Sequence, residues 1–76
     1  MSADLGKYNL PRSTWEGLID EWIFSEKQRA MMKRKLLDGI TYEQLAEEFE
    51  MSTRGAFDTI SKGMRMLIPH IAAKLP

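Results

Sequence analysis

The side chains best suited to non-covalent chemistry lie between residues 53 and 65. If this stretch is a helix, with about 100° between successive residues, four polar side chains share one face and three further residues lie beside them. The set is Arg54, Asp58, Ser61 and Arg65, and the flanking residues are Thr53, Phe57 and Lys62. Apolar residues occupy the other side: Ala56, Ile60, Met64 and Leu67. The stretch therefore predicts an amphipathic helix with an outward face that can form hydrogen bonds and is mildly basic.

Catalytic chemistry lacks the residues that it needs. Nucleophilic catalysis requires an activated serine or cysteine beside a base, but the chain has no cysteine, and its single histidine, His70, follows a proline. Glu47 and Glu48 would point to different sides of a helix, so they do not form an acid and base pair. The glycines are isolated and form no phosphate-binding loop. We therefore expect no enzyme activity, no bound metal and no cofactor.

Two short helices joined by a tight turn are predicted to hold the polar face. Thr41 and Gln44 form a capping-box pattern that begins a helix running from Tyr42 to about Phe49. Ser52 is suited to cap the next helix, so only a short turn separates the two. This arrangement, with the second helix facing outward, is the form of a helix-turn-helix nucleic-acid reader.

Two amphipathic helices precede this pair. Ser13 with Glu16 forms a capping-box pattern at the start of the first, and Ser25 with Gln28 repeats it at the start of the second. The apolar stripe of the first helix contains Trp15, Leu18, Ile19, Trp22 and Ile23, and that of the second contains Met31, Met32, Leu36 and Leu37. The pair Asp38-Gly39 is expected to end the second helix.

The expected fold is all-α, a bundle of four to five helices that contains a helix-turn-helix and no wing. The fourth helix is predicted to end near Ile68, because Pro69 removes a backbone donor. Apolar residues at helical spacing then predict a short fifth helix, and they include Ile71, Ala72 and Leu75. We expect a single domain over residues 13–76 behind a flexible arm of residues 1–12, which has neither helical nor strand periodicity.

Charge is balanced over the 76 residues but segregated along them. Eleven acidic and eleven basic residues cancel, although a basic run, Lys33, Arg34 and Lys35, crowds the end of the second helix. That run either complements the helix dipole or contacts phosphate, and for Lys33 and Arg34 the sequence leaves both interpretations open. No apolar stretch approaches the roughly 20 residues that span a bilayer, so we expect a cytoplasmic protein without membrane contact.

The motifs around the predicted turn also resemble a known family. The stretch TYEQLAEEFEMSTRGAFDTISKGMRML resembles conserved region four of bacterial sigma factors, and IFSEKQRAMMKRKLLDGI resembles the lead-in to that region. Together they cover about residues 24–67. The wider stretch from LPRSTWEGLIDEWIF onward resembles small stand-alone region-four-like proteins of low-GC Gram-positive bacteria, their phages and conjugative elements.

This resemblance implies a sequence-specific, double-stranded-DNA-binding transcriptional regulator whose recognition helix, at about 53–67, enters the major groove. It implies base-facing positions for Thr53, Arg54, Phe57, Asp58 and Ser61. It implies phosphate contacts for Lys62 and Arg65, and it brings Ser52, at the helix N-terminus, near a phosphate. Phe57 stands where the family usually has a polar reader.

The alternative interpretation is a helical protein-interaction module that uses the same fold to bind RNA polymerase or another regulator. Its support is the zero net charge, an exposed Phe57 and the methionine-rich second and fourth helices. A continuous basic strip joining Arg54, Lys62 and Arg65 to the Lys33–Lys35 run would favour DNA. An apolar patch around Phe57, Met66 and the C-terminal tail would favour protein. Homodimerisation through the C-terminal tail stays open, as do the target DNA sequence and the direction of regulation.

Overall fold

Four α-helices surround one apolar core in the computed structural model, which describes residues 10–73. Helix α1 spans Arg12–Trp22, α2 spans Glu26–Leu36, α3 spans Tyr42–Glu48 and α4 spans Thr53–Ile71. No β-strand occurs within residues 10–73, which confirms the all-α expectation. Helix α4 is the longest and contacts each of the other three, so its position depends on all of them.

Helix α1 does not begin with the predicted capping box. It begins at Arg12, with Pro11 as the N-cap residue and no side-chain capping hydrogen bond. The Pro11 carbonyl accepts from the backbone N–H groups of Thr14 and Trp15, both at 3.1 Å. The Ser13–Glu16 prediction is therefore wrong. The helix begins earlier because Pro11, two residues before Ser13, already has the N-cap conformation, with φ −63° and ψ 157°.

The other predicted caps form. The Ser25 hydroxyl accepts from the Gln28 backbone N–H at 3.2 Å, but the Gln28 amide donates to the Thr59 carbonyl at 3.1 Å and so joins α2 to α4. At the start of α3 the capping box is complete, because Thr41 and Gln44 exchange both hydrogen bonds, at 3.1 and 2.9 Å. These bonds confirm the predicted starts of α2 and α3.

Helix α4 continues through the proline that was expected to end it. It runs to Ile71, and residues 69–73 form no separate fifth helix, so that prediction is wrong. Pro69 removes one backbone hydrogen bond from the last turns. Continuing the helix, however, buries Ile71 in the core, at 1% exposure, and stacks the His70 ring on the Trp22 ring with centroids 3.6 Å apart. Residues 1–9 of the predicted arm (1–12) and Leu75 of the predicted fifth helix lie outside the described residues.

The core combines the predicted apolar stripes of all four helices. Its buried hydrophobic members are Trp15, Leu18, Ile19, Ile23, Met31, Met32, Leu45, Ala46, Ala56, Ile60, Leu67 and Ile71. Trp22 and Met64 pack against this cluster while half-buried. Gly63 is buried where α2 approaches α4, and a Cβ atom there would lie 2.5 Å from the Met32 Sδ. The absence of a Cβ atom at position 63 leaves room for the end of the Met32 side chain, which would have to shift if any other residue stood there.

Candidate nucleic-acid interface

The turn between α3 and α4 is fixed by backbone and side-chain hydrogen bonds. The Met51 N–H donates to the Ala46 carbonyl at 2.9 Å, and the Glu50 N–H donates to the Glu47 carbonyl at 3.3 Å. This is the bonding pattern of a Schellman motif, and Glu50 takes its left-handed position with φ 55°. The first turn of α4 is then closed by the Ser52 hydroxyl.

Ser52 confirms the predicted N-cap of α4. Its hydroxyl accepts from the Gly55 backbone N–H at 2.9 Å, which satisfies one of the donors left free at a helix start. With the turn and the first helical residues both held, the direction of α4 relative to α3 is set by local bonds. The side chains of the first two turns of α4 are consequently carried on a rigid element.

The outward face of α4 brings together the residues singled out from the sequence. Six of them are exposed, and these are Thr53, Arg54, Phe57, Asp58, Lys62 and Arg65. Ser61 is half-buried on the same helix. Arg54 and Asp58 lie one turn apart, with Nε and Oδ2 3.8 Å apart and side chains 88% and 53% exposed. Such a pair contributes little to stability because water screens it.

Lys62 and Arg65 are two exposed cations on the outward side of α4. Among the described residues, neither forms an ion pair with a carboxylate. They are three residues apart, so they lie near each other on the helix surface. The charge of both side chains is therefore available to an external anion.

By contrast, Lys33 and Arg34 in the basic run of α2 form ion pairs with carboxylates of the same chain. The Lys33 ammonium pairs with Asp20 on α1, with Nζ and Oδ1 2.7 Å apart. The Arg34 guanidinium donates to both Glu48 carboxylate oxygens at 2.8 to 3.1 Å and to Asp38 at 2.9 Å. The run and the α4 face thus do not form one strip of unpaired cations. Residue spacing could not indicate the pairs with Asp20 and Glu48, because these carboxylates lie on α1 and α3.

The pKa values of these carboxyl groups reflect the same contacts. The hydrogen bond from Arg34 holds the pKa of Asp38 below its usual 3.8, and a bond from Arg12 adds to the effect. Hydrogen bonds from Arg34 also lower the pKa of Glu48 below its usual 4.5. Both carboxylates raise the pKa of the Arg34 guanidinium, so it stays protonated. All three groups are charged near neutral pH.

Three contacts beside α4 were missed from the sequence. Lys35 is buried, at 7% exposure, and its ammonium donates to the Ile40 carbonyl at 2.8 Å. The same nitrogen lies 4.2 Å from the centre of the Tyr42 ring, and Tyr42 in turn meets Phe57 edge-on with centroids 5.2 Å apart. No periodicity signals this chain of contacts, because its members come from α2, the loop before α3, α3 and α4. These contacts support the Phe57 ring on the candidate interface.

Within residues 10–73, the exposed apolar side chains of α4 do not form one continuous patch. Phe57 is 43% exposed and Met66 is 40% exposed. They are nine residues apart, which at about 100° per residue sets them on opposite sides of α4. Ile68, at 42%, lies on the Phe57 side but about 16 Å further along the helix axis. The apolar groups around α4 are thus separated by polar surface.

Comparison with protein-family models, with curated proteins and with solved structures finds no match for this chain. Over residues 10–73, no helix has the length and hydropathy needed to cross a membrane. In the same range, no three histidine, cysteine, aspartate or glutamate side chains converge on a position where they could hold a metal ion.

Proposed function

We propose that the protein is a transcriptional regulator that binds double-stranded DNA sequence-specifically, with α3 and α4 acting as a helix-turn-helix. The observation that carries the proposal is the outward face of α4. There the unpaired cations Lys62 and Arg65 lie beside side chains that can hydrogen-bond to base edges. DNA recognition by a helix in the major groove requires this combination, because phosphate contacts supply affinity and base contacts supply specificity.

Each part of the helix pair has a role in this proposal. Helix α3 braces against the DNA backbone, and the fixed turn directs the first turns of α4 into the groove. Arg54 donates to a guanine, while Thr53 and Ser61 hydrogen-bond to neighbouring base edges. Asp58 accepts from a cytosine amino group or orients Arg54, from which it is 3.8 Å distant. The resemblance to sigma-factor region four supports the same assignment, and binding DNA implies a cytoplasmic location in a bacterial cell.

The phosphate contacts are assigned chiefly to α4. Lys33 and Arg34 already hold carboxylates at 2.7 to 3.1 Å, so a phosphate would have to compete with Asp20 or Glu48 for them. Within residues 10–73, no carboxylate pairs with Lys62 or Arg65, so a phosphate would displace none. We therefore expect α4 cations to contribute more to affinity than α2 cations.

Titration onto short random-sequence duplexes at several salt concentrations tests the proposal. Fluorescence anisotropy of a labelled duplex should give a log affinity that falls linearly with log salt. Lys62→Ala should weaken binding to all sequences alike and reduce the magnitude of that slope by about 1. Lys27→Ala is the matched control, because Lys27 is also exposed and forms no ion pair among the described residues, but lies on α2. It should leave the slope nearly unchanged.

Two outcomes would overturn the proposal. The first is absence of binding at low salt, and the second is binding whose affinity does not depend on salt. If Lys62→Ala and Lys27→Ala changed the salt dependence of the affinity equally, the assignment of the phosphate contacts to α4 would be wrong. Circular dichroism of both variants should match the parent protein, so that loss of fold is not mistaken for loss of contact.

Docking to RNA polymerase or to another regulator is the second candidate function. It is favoured by Phe57 and Ile68, which stay 43% and 42% exposed on one side of α4. Purified bacterial RNA polymerase on a biosensor surface distinguishes the two. Polymerase binding that Phe57→Ser and Ile68→Ser both weaken, without any duplex binding, would favour this candidate over DNA recognition.

A further inference from the structure

We propose that Phe57 reads a thymine in the target DNA by contacting its C5-methyl group, with Tyr42 as the positioning residue. This inference rests on the proposed DNA-binding function and specifies which base the α4 face selects. Its starting point is an apolar ring that stays 43% exposed among the polar and charged side chains exposed on the first two turns of α4. Phe57 lies three residues after Arg54 and one before Asp58, within the first two turns of the helix.

The ring is held in place before any ligand arrives. Tyr42 meets it edge-on, with centroids 5.2 Å apart and planes at 66°. Tyr42 is itself held against the Lys35 ammonium, 4.2 Å from the Tyr42 ring centre, and that ammonium donates to the Ile40 carbonyl at 2.8 Å. A side chain fixed in this way loses little conformational freedom on binding, so even a small contact adds to affinity. The edge-on packing also leaves part of the Phe57 ring open.

The major groove offers this ring one methyl group, the C5-methyl of thymine. Guanine and adenine present hydrogen-bonding atoms there, and cytosine presents an amino donor beside a C5–H that lacks the methyl. A phenyl ring cannot satisfy the donors and acceptors of the other bases, so it disfavours them at the position it covers. A protein-docking role would instead need adjoining apolar surface. Met66 lies on the opposite side of α4, and Ile68, on the same side, lies about 16 Å further along the helix axis. The chemistry of the face therefore favours thymine.

Uracil substitution tests this contact without altering the protein. A high-affinity duplex is first selected from a random-sequence library with the parent chain. Each thymine is then replaced in turn by deoxyuridine, which keeps every hydrogen-bonding atom and lacks only the methyl group. At one or two positions we expect the dissociation constant to rise about fourfold, the effect of losing one buried methyl group. Other thymines should be replaceable without effect.

Protein variants test whether the uracil effect depends on the Phe57 side chain. In Phe57→Ala the affinity ratio between the thymine and uracil duplexes should fall from about four to about one. Met66→Ala is the matched control, because Met66 is exposed to nearly the same extent on the same helix, and its ratio should stay near four. Tyr42→Ala should lower the ratio, and Tyr42→Leu should restore part of it by supporting the Phe57 ring again. A purely structural role of Tyr42 would change the overall affinity but not this ratio.

The outcomes separate this inference from the function on which it rests. Tight, salt-dependent binding to the selected duplex with no uracil-sensitive position would overturn the thymine contact and leave DNA binding intact. A uracil effect that persists in Phe57→Ala would overturn the assignment to Phe57. Failure to select any duplex would overturn both the inference and the proposed function. A ratio lost in Phe57→Ala and kept in Met66→Ala supports the inference.

Discussion

At the scale of single residues, Glu50 has the least favourable backbone conformation in the turn before α4. Its φ is 55°, and it is the one residue other than glycine with positive φ within residues 10–73. A side chain with a Cβ atom disfavours this left-handed region by roughly 1–2 kcal/mol, which is why glycine usually occupies the position after a helix. The turn is nevertheless formed, because the Met51 and Glu50 N–H groups both find carbonyl partners on α3.

Replacing Glu50 by glycine should therefore stabilise the protein. We expect the free energy of unfolding to rise by about 0.5–1 kcal/mol, since relief of the left-handed strain exceeds the extra freedom that glycine has in the unfolded chain. Urea unfolding followed by circular dichroism measures the change. Glu47→Gly is the control, because it removes the same charge from an exposed site inside α3 and should cost about 1 kcal/mol. A less stable Glu50→Gly protein would contradict this account of the turn.

At the scale of helices, the starts of α1 and α3 differ in what caps them. Thr41 accepts from the Gln44 backbone N–H and completes a reciprocal capping box, whereas Ser13 lies inside the first turn of α1 and caps nothing. Thr41→Ala should lower the free energy of unfolding by about 1 kcal/mol, because one backbone donor of α3 loses its partner. Ser13→Ala should change it by less than about 0.5 kcal/mol. Thermal unfolding of the two variants side by side makes the comparison, and equal losses would argue against the observed helix start.

At the scale of the whole molecule, ion pairs join the helices and account for much of the balanced charge. Arg34 connects the end of α2 to α3 through Glu48, and Arg12 on α1 reaches Asp38. Lys33 on α2 pairs with Asp20 on α1. These contacts occupy Lys33 and Arg34 of α2, whereas Lys62 and Arg65 of α4 have no carboxylate partner within residues 10–73. Zero net charge is thus compatible with a locally basic face.

The Arg34 cluster should make stability depend on pH in the acid range. The pKa values of Asp38 and Glu48 are lower in the folded protein than their usual 3.8 and 4.5, because Arg34 hydrogen-bonds to the charged forms. Their contribution is therefore fully present above those usual values and is lost as the pH falls through the folded pKa values. In Arg34→Met, the free energy of unfolding should decline less between about pH 6 and pH 3 than in the parent protein.

Urea unfolding at a series of pH values measures that difference. Arg54→Met is the matched control, since Arg54 is 88% exposed and its nearest carboxylate contact is 3.8 Å long. It should retain the parent's decline at low pH. An Arg34→Met protein with the same acid profile as the parent would show that the cluster does not couple protonation to folding.

Local features of the chain were predictable from residue order alone. Helical periodicity indicated the buried stripes around Leu18, Leu45 and Ile60, and hydroxyl side chains indicated the caps at Thr41 and Ser52. These predictions succeeded because a cap joins residues three apart and periodicity is a property of neighbouring residues. The outward position of the polar α4 residues follows from the same periodicity, since burying one side of a helix exposes the other.

Contacts between distant residues were decided only by the tertiary structure. Burial of Ile71 carries α4 past Pro69, and carboxylates from α1 and α3 take up Lys33 and Arg34. The exposed ring of Phe57 is held by Tyr42, fifteen residues earlier in the chain. The physical reason is common to all three cases. The free energy of each contact depends on which helices are brought together, and residue spacing within one helix contains no information about its partner.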